Sequence, residues 1–275
     1  MPNQVRHDSS NAMTLLLLIK QRRGRGYSWG LKMIKNTKES DFTKRKILYA
    51  AKKEFAEKGF DGARMSSIAS IAEVNQALLH YHFDTKKNLY NCIFDYFIGD
   101  SSVKFSELIE IEFNTWDMSI EEKLCAIIYL LISVNLEAYD IEMNRIFARE
   151  ISEGSGLLDE FIKKYFLPRI IEIEKIVQEG IKESIFEISN PKIFTLGLLI
   201  FINHSLRLEE FTVNTEWHEA LFKDKKKTFY NYMLEQAFKS LRPANKPLKI
   251  PTLSKDKITK IDSFVKKIYE FIYDI

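Results

Sequence analysis

The sequence predicts an all-α protein: an N-terminal three-helix unit containing a helix-turn-helix, joined to a C-terminal helical bundle. Three observations lead there. Residues 68–83 read as a helix, a three-residue turn and a second short helix. From about residue 101 to 240 apolar residues recur at helical spacing almost throughout. The interruptions fall on residues that start or stop helices, such as Gly59, Gly154-Ser155-Gly156 and Asn190-Pro191.

The 275 residues suffice for one large domain or two small ones. At 45% hydrophobic and 29% charged, the chain has ample apolar material for a core. Its 20 Phe and 12 Tyr allow a greasy cavity or an aromatic core, of which the core is the simpler reading. A net charge of +3 is too small to indicate nucleic-acid binding by itself. Cys92 and Cys125 lie inside helical patterns without CxxC spacing, which argues against a disulfide framework or zinc site and fits a reducing cytoplasm.

Residues 1–40 read as a basic, poorly structured leader. Its apolar run, 13–19, is far shorter than the roughly 20 residues of a membrane span. Lys20, Arg22, Arg23 and Arg25 follow that run, whereas a secretory signal places its charge before it. Cytoplasmic location without membrane association is therefore expected. The Arg22–Gly26 stretch is either an arm that tracks phosphates or a tail upstream of a start near Met33.

The first helix starts at Asp41 or Thr43 and runs to about Lys58, with Ile47, Ala50, Ala51 and Phe55 on one face. Gly59 ends it as a C′ glycine. Lys44 and Arg45, near its start, are either phosphate contacts or a solvated face. Ile68, Ala69 and Ala72 give the second helix its stripe. Glu73-Val74-Asn75 breaks the pattern, and Asn75 can cap the third helix by accepting from its first-turn N–H groups. Leu78 and Leu79 then face inward, leaving Gln76, Ala77, His80 and Tyr81 for the outer face. His82 packs at the helix end. Such a short, capped helix is what a major groove admits. Asp84-Thr85 starts the next helix, with Lys86 in its first turn and Leu89, Ile93 and Phe97 inward.

Residues 43–90 resemble the DNA-binding domain of the TetR family of bacterial transcriptional regulators. The resemblance is carried by Ile47-Leu48-Tyr49-Ala50-Ala51 with Phe55, Gly59-Phe60-Asp61-Gly62, Ile68-Ala69, Val74, and Tyr81-His82-Phe83 with Lys86 and Leu89. It departs from the family pattern at Glu73, where Gly is usual, at His80, where Tyr is usual, and at Arg64, where Thr is usual. The Glu73 departure falls where a positive φ favours glycine. The resemblance implies a DNA-binding regulator with Lys44, Arg45, Arg64, Asn75, Gln76, Ala77, His80, Tyr81 and Lys86 in the interface.

Beyond the head, residues 103–113 extend the linking helix or follow it, and 114–119 break it. Ser119-Ile120-Glu121-Glu122 reads as a capping box one residue short. Residues 120–139 form a central, mostly apolar helix, 142–151 a shorter one, and 157–186 a long helix kinked at Pro168. Asn190-Pro191 starts a helix whose stretch 193–202 is apolar all round. It is either a homodimer interface or buried within one subunit. Residues 223–240 supply its partner helix through Phe229, Met233, Ala237 and Leu241. Pro243, Pro247 and Pro251 mark a linker, and 254–275 an amphipathic helix, either docked on the body or lying on a membrane surface. The expected division is thus a leader, 1–40; a DNA-binding domain, 41–90; an effector-binding and dimerisation domain, 91–242; and a linker with terminal helix, 243–275.

No HExxH, paired Cys/His spacing, phosphate loop or nucleophile elbow occurs, so neither catalysis nor a cofactor is expected. Arg145, Arg149, Asn203, His204 and Arg207 neighbour apolar runs and are the candidates for an effector pocket. The alternative for the arginines is pairing with Glu150, Glu209 or Glu210. The resulting expectation is a homodimeric repressor on a near-palindromic operator, released by a small-molecule effector. A helical carrier or enzyme whose helix-turn-helix binds no DNA is the alternative.

Overall fold

The computed structural model describes residues 38–99, 115–137, 140–154, 156, 158–244, 247 and 249–273. Residues 1–37 of the leader expected over 1–40, the helix expected over 103–113 and the last two residues lie outside them, whereas residues 38–40 already belong to the first helix. The chain divides into two compact units, Met1–Arg45 and Lys46–Ile275. Of the first, only the opening turns of helix α1 (Lys38–Gly62) are described. Lys44 and Arg45 lie in that part of α1.

The described elements are helical throughout, as the sequence predicts. Gly59, at φ 71°, breaks α1 near its end. Then come α2 (Met65–Ile71), α3 (Gln76–Phe83) and α4 (Lys86–Phe94), which passes into a π turn, Asp95–Gly99. Ile47, Ala51, Phe55, Ile68, Leu79, Leu89, Tyr90 and Ile93 are buried together in one core. The abundance of aromatics resolves here as core packing: Phe60, Phe55, Tyr90, Phe94 and Phe161 form a chain of ring contacts with neighbouring centroids 4.9–6.1 Å apart.

That core is not built from the first hundred residues alone. Met143 and Ile146 of α6 (Ile141–Glu153) and Leu158 and Phe161 of α7 (Leu158–Phe161) complete it. Polar contacts hold α6 there. The buried Lys52 ammonium lies 2.5 Å from Asp140 and 3.2 Å from Glu142, over the Phe97 ring at 4.2 Å. Asp140 also caps α6, accepting from the Glu142 and Met143 amides. Tyr90 donates to Glu150 over 2.6 Å in the interior. Burial, and next the Glu150 hydrogen bond, push the Tyr90 pKa upward, so it stays a neutral donor.

The second core surrounds α5 (Ile120–Glu137), buried along most of its length as a central helix should be. Its start corrects the sequence reading: the capping box is complete, with Ser119 Oγ accepting from Glu122 N and Glu122 Oε2 accepting from Ser119 N. The helix expected over 157–186, interrupted at Pro168, runs instead from Leu158 to Lys182, and its interruption falls beside that proline: α7 passes through a π turn, Ile162–Phe166, into α8 (Leu167–Lys182), whose first turn holds Pro168. It stops at Lys182 because Ser184 turns to φ 58° and Phe186 folds back onto Gly180, where any side chain would collide with the ring.

Asn190 caps α9 (Pro191–Ser205) by accepting from the Ile193 amide. A short 3-10 turn (Leu206–Leu208), α10 (Glu209–Thr212) and α11 (Glu216–Phe222) lead to α12 (Lys225–Ser240). Helices α8, α9 and α12 pack on α5, as does the last helix, α13 (Lys255–Tyr273). Ile261 and Val265 of α13 are buried; Asp262 receives Tyr129 and Lys226, and Lys257 bridges to Glu122 at 2.8 Å. The amphipathic terminal helix is therefore docked on the body, as expected. Among the described residues no single helix is long and apolar enough to cross a membrane.

Candidate nucleic-acid interface

Helices α2 and α3 and the turn between them present the candidate surface. Ile68 and Ala69 seat α2 on the core, and Leu79 and Phe83 seat α3. Leu78, expected fully inward, is half-buried. The turn takes the conformation that favours glycine: Glu73 sits at φ 53°. Its carboxylate accepts from Lys46 Nζ at 3.1 Å, a contact local to this turn. Asn75 caps α3, its side chain accepting from Leu78 N at 2.7 Å. This cap leaves less of Asn75 to meet a ligand.

The outward face of α3 consists of Gln76, Ala77, His80 and Tyr81, all exposed, Tyr81 to 71%. None of the four is an acid or a permanent cation. Gln76 Nε2 lies 3.4 Å from His80 Nε2, and His80 Nδ1 lies 2.9 Å from the Asp84 carbonyl. A His80 protonated on Nδ1 satisfies both, donating to the carbonyl and accepting from Gln76, which leaves the Gln76 carbonyl oxygen open as an acceptor. His82 is half-buried and packs edge-on between Tyr81 and Phe83, at the helix end as expected.

The candidate cations differ in availability. Arg64 is the N-cap residue of α2 and is exposed; it makes no side-chain cap. Lys44 and Arg45 are half-buried on α1. Lys86 donates to the carbonyls of Asp61 and Ala63, at 3.2 and 3.0 Å, and lies over the Phe60 ring. Its charge stabilises the chain just past the α1 break and ties α4 to it. Lys87, which the sequence reading passed over, is the exposed cation at the start of α4, where Thr85 caps the helix by accepting from Asn88 N. The Lys86-Lys87 doublet was the available signal.

The five effector candidates are not brought together by any described contact. Arg145 is exposed on α6. Arg149 lies against Gly59, where an added Cβ would be 2.8 Å from Nη1, and donates to the Glu57 carbonyl at 3.4 Å. Asn203 is half-buried and His204 exposed on α9, and the Arg207 side chain lies outside the described residues. Other polar groups occupy the body interior. The Ser133 and Thr195 hydroxyls are buried without a hydrogen-bond partner among the described residues. The Arg169 guanidinium is buried, which pushes its pKa down to about 10. A Ser and a Thr inside apolar runs, and an Arg after Pro168, were the only traces of these in the sequence.

Residues 47–93 match the family model described as bacterial regulatory proteins, tetR family. The biofilm operon icaADBC HTH-type negative transcriptional regulator IcaR of Staphylococcus epidermidis is 27% identical over 143 residues, 48% of this chain and 74% of its own length. IcaR of Staphylococcus aureus (strain Newman) is 44% identical over 57 residues, 19% of this chain and 31% of its own length. In fold, the chain is similar to the HlyIIR mutant with residues 169–186 substituted by a linker: TM-score 0.53, 23% identity, 76% of this chain and 98% of that one. Residues 47–93, which span α2, α3 and the turn between them, are thus a helix-turn-helix region of the kind that opens bacterial regulatory proteins of the tetR family, and the helical fold of the chain is similar to that of the HlyIIR mutant.

Proposed function

We propose that this regulator is a repressor that binds a near-palindromic operator as a homodimer, each α3 entering one major groove. The observation that carries this reading is the uncharged polar face of α3, held at a fixed angle by Asn75 and the buried Leu79 and Phe83. Gln76, Ala77 and Tyr81 meet base edges, with His80 supporting Gln76. Lys44, Arg45 and Arg64 meet phosphates, joined at the start of α4 by Lys87, whose neighbour Lys86 braces the helix. The dimer reading is supported by α9, whose exposed side carries Ile193, Leu196 and Ile200 around Gly197, with open space above that glycine. A partner copy covers what the chain's own core does not.

An effector held among the body helices then favours a spacing of the two heads that no longer fits successive grooves. Buried polar groups in an otherwise apolar interior, the Ser133 and Thr195 hydroxyls and the Arg169 guanidinium, support such a pocket. Asn203 shares α9 with Thr195, whereas His204 is exposed. Arg149 belongs instead with the end of α1. The test is a shift assay with the intergenic DNA flanking the gene. Binding with steep salt dependence is expected. A carrier or enzyme would shift none of these fragments, and that outcome rejects the proposal.

A further inference from the structure

We propose that the stretch between α9 and α12, residues 206–222, is a clasp that seats Phe211, Val213 and Trp217 on a second copy of the chain. The inference rests on the dimer reading above and adds a contact which the α9 face does not itself provide.

The stretch is anchored at both ends, with Leu206 and Phe222 buried and the Phe222 ring 5.6 Å from that of Phe229. It is also braced within. Thr212 donates to the Glu209 carbonyl, Thr215 to the Thr212 carbonyl, and Lys225 bridges to Glu209 at 2.8 Å. On this scaffold the apolar side chains point into solvent: Phe211 is 82% exposed, Trp217 64%, Leu208 53% and Val213 50%. Scattered exposed apolar residues need no explanation, but two large aromatics and two aliphatics on one short stretch do.

Two arguments select a second copy as the occupant. The first is area. A stable interface takes about 800 Å² from each partner, more than the α9 face offers with Ile193, Leu196, Ile200 and the edge of Phe201, even when widened by Tyr232 of α12 beside Phe201. A fully exposed aromatic presents roughly 150–250 Å², so Phe211 and Trp217 at those exposures add about 200–350 Å². The clasp also runs directly on from the end of α9, without an intervening linker. The second argument is charge. Over residues 206–227 five acids, Glu209, Glu210, Glu216, Glu219 and Asp224, balance five cations, Arg207, Lys223, Lys225, Lys226 and Lys227, and Glu209 and Glu219 pair with Lys225 and Lys223. A neutral apolar surface gives an anionic bilayer or a nucleic acid no electrostatic hold.

The test is sedimentation equilibrium on the full chain and two variants, Ile200→Asp and the double variant Phe211→Ser/Trp217→Ser. The parent dimerises, and Ile200→Asp abolishes the dimer. The double variant raises the dimer dissociation constant about 30-fold or more, as loss of two aromatic anchors should, while its helical circular dichroism matches the parent's. A double variant within threefold of the parent, beside a monomeric Ile200→Asp, overturns the clasp and leaves the dimer standing. A parent that is monomeric throughout removes both. Clasp-dependent binding to anionic phospholipid vesicles without any change in dimerisation also overturns it.

Discussion

Replacing Lys52 with Met should show how firmly α6 belongs to the DNA-binding head. The substitution keeps the aliphatic stem that packs beside Phe97 and removes the ammonium. Two carboxylates then lose their shared partner: Asp140, 13% exposed, and Glu142, 31% exposed. Removing one member of a buried pair costs about 3–5 kcal/mol. The partial exposure of Glu142 places this case at the low end, about 3 kcal/mol. For a unit of this size that lowers the melting temperature by about 6–12 °C. Adding Asp140→Asn should recover part of the loss, because Asn removes the stranded charge yet still caps α6. Adding Asp140→Ala should recover less. Thermal unfolding followed by circular dichroism checks both steps. A Lys52→Met melting curve within 2 °C of the parent's, or equal recovery by Asn and Ala, refutes the argument that the bridge and the cap act together.

Other outcomes follow from single contacts. Gln76→Ala should relax base preference at one operator position by about 1–3 kcal/mol, whereas Lys87→Ala should weaken all sequences alike and lower the salt slope by about 1, both read by competition shift assays. Cys125 is buried and its Sγ lies 3.7 Å from the Pro251 carbonyl; burial pushes its pKa up to about 12. Its thiol should resist iodoacetamide at pH 8, and Ile261→Asp, which undocks α13, should make it react, as peptide mass spectrometry would show. The hydrogen bond from Lys257 holds the Glu122 carboxyl below its ordinary range. Its stabilising effect is therefore complete above about pH 4.3, the ordinary Glu value, and is lost as pH falls through the lower folded value. Glu122→Gln should flatten that part of an acid-unfolding curve.

What was legible in the sequence is what repeats locally. The stripes of α1, α5, α12 and α13, the cap at Asn75 and the helix start at Asn190-Pro191 are properties of a few neighbouring residues, and the structure keeps them. What spacing does not reveal depends on partners distant in sequence. Lys86, expected at a phosphate, donates to carbonyls 23 and 25 residues away. Arg149, expected at a pocket because it follows an apolar run, donates to the Glu57 carbonyl, 92 residues upstream. The stop of α8 at Lys182 depends on Phe186 returning to Gly180, a close approach that periodicity does not encode. The Ser119 box is different: all four of its residues were in view, and only their count was misjudged.

The two cores close at different moments of synthesis. The head has its last core residue once Phe161 has been made, whereas the body waits for Val265, roughly a hundred codons later. At about 5–20 residues per second, the ribosome takes on the order of 5–20 s to cover that interval. During it a nascent chain can already own a finished DNA-reading head while the apolar flank of α5 still lacks its cover. That flank, not the head, is where a chaperone would bind.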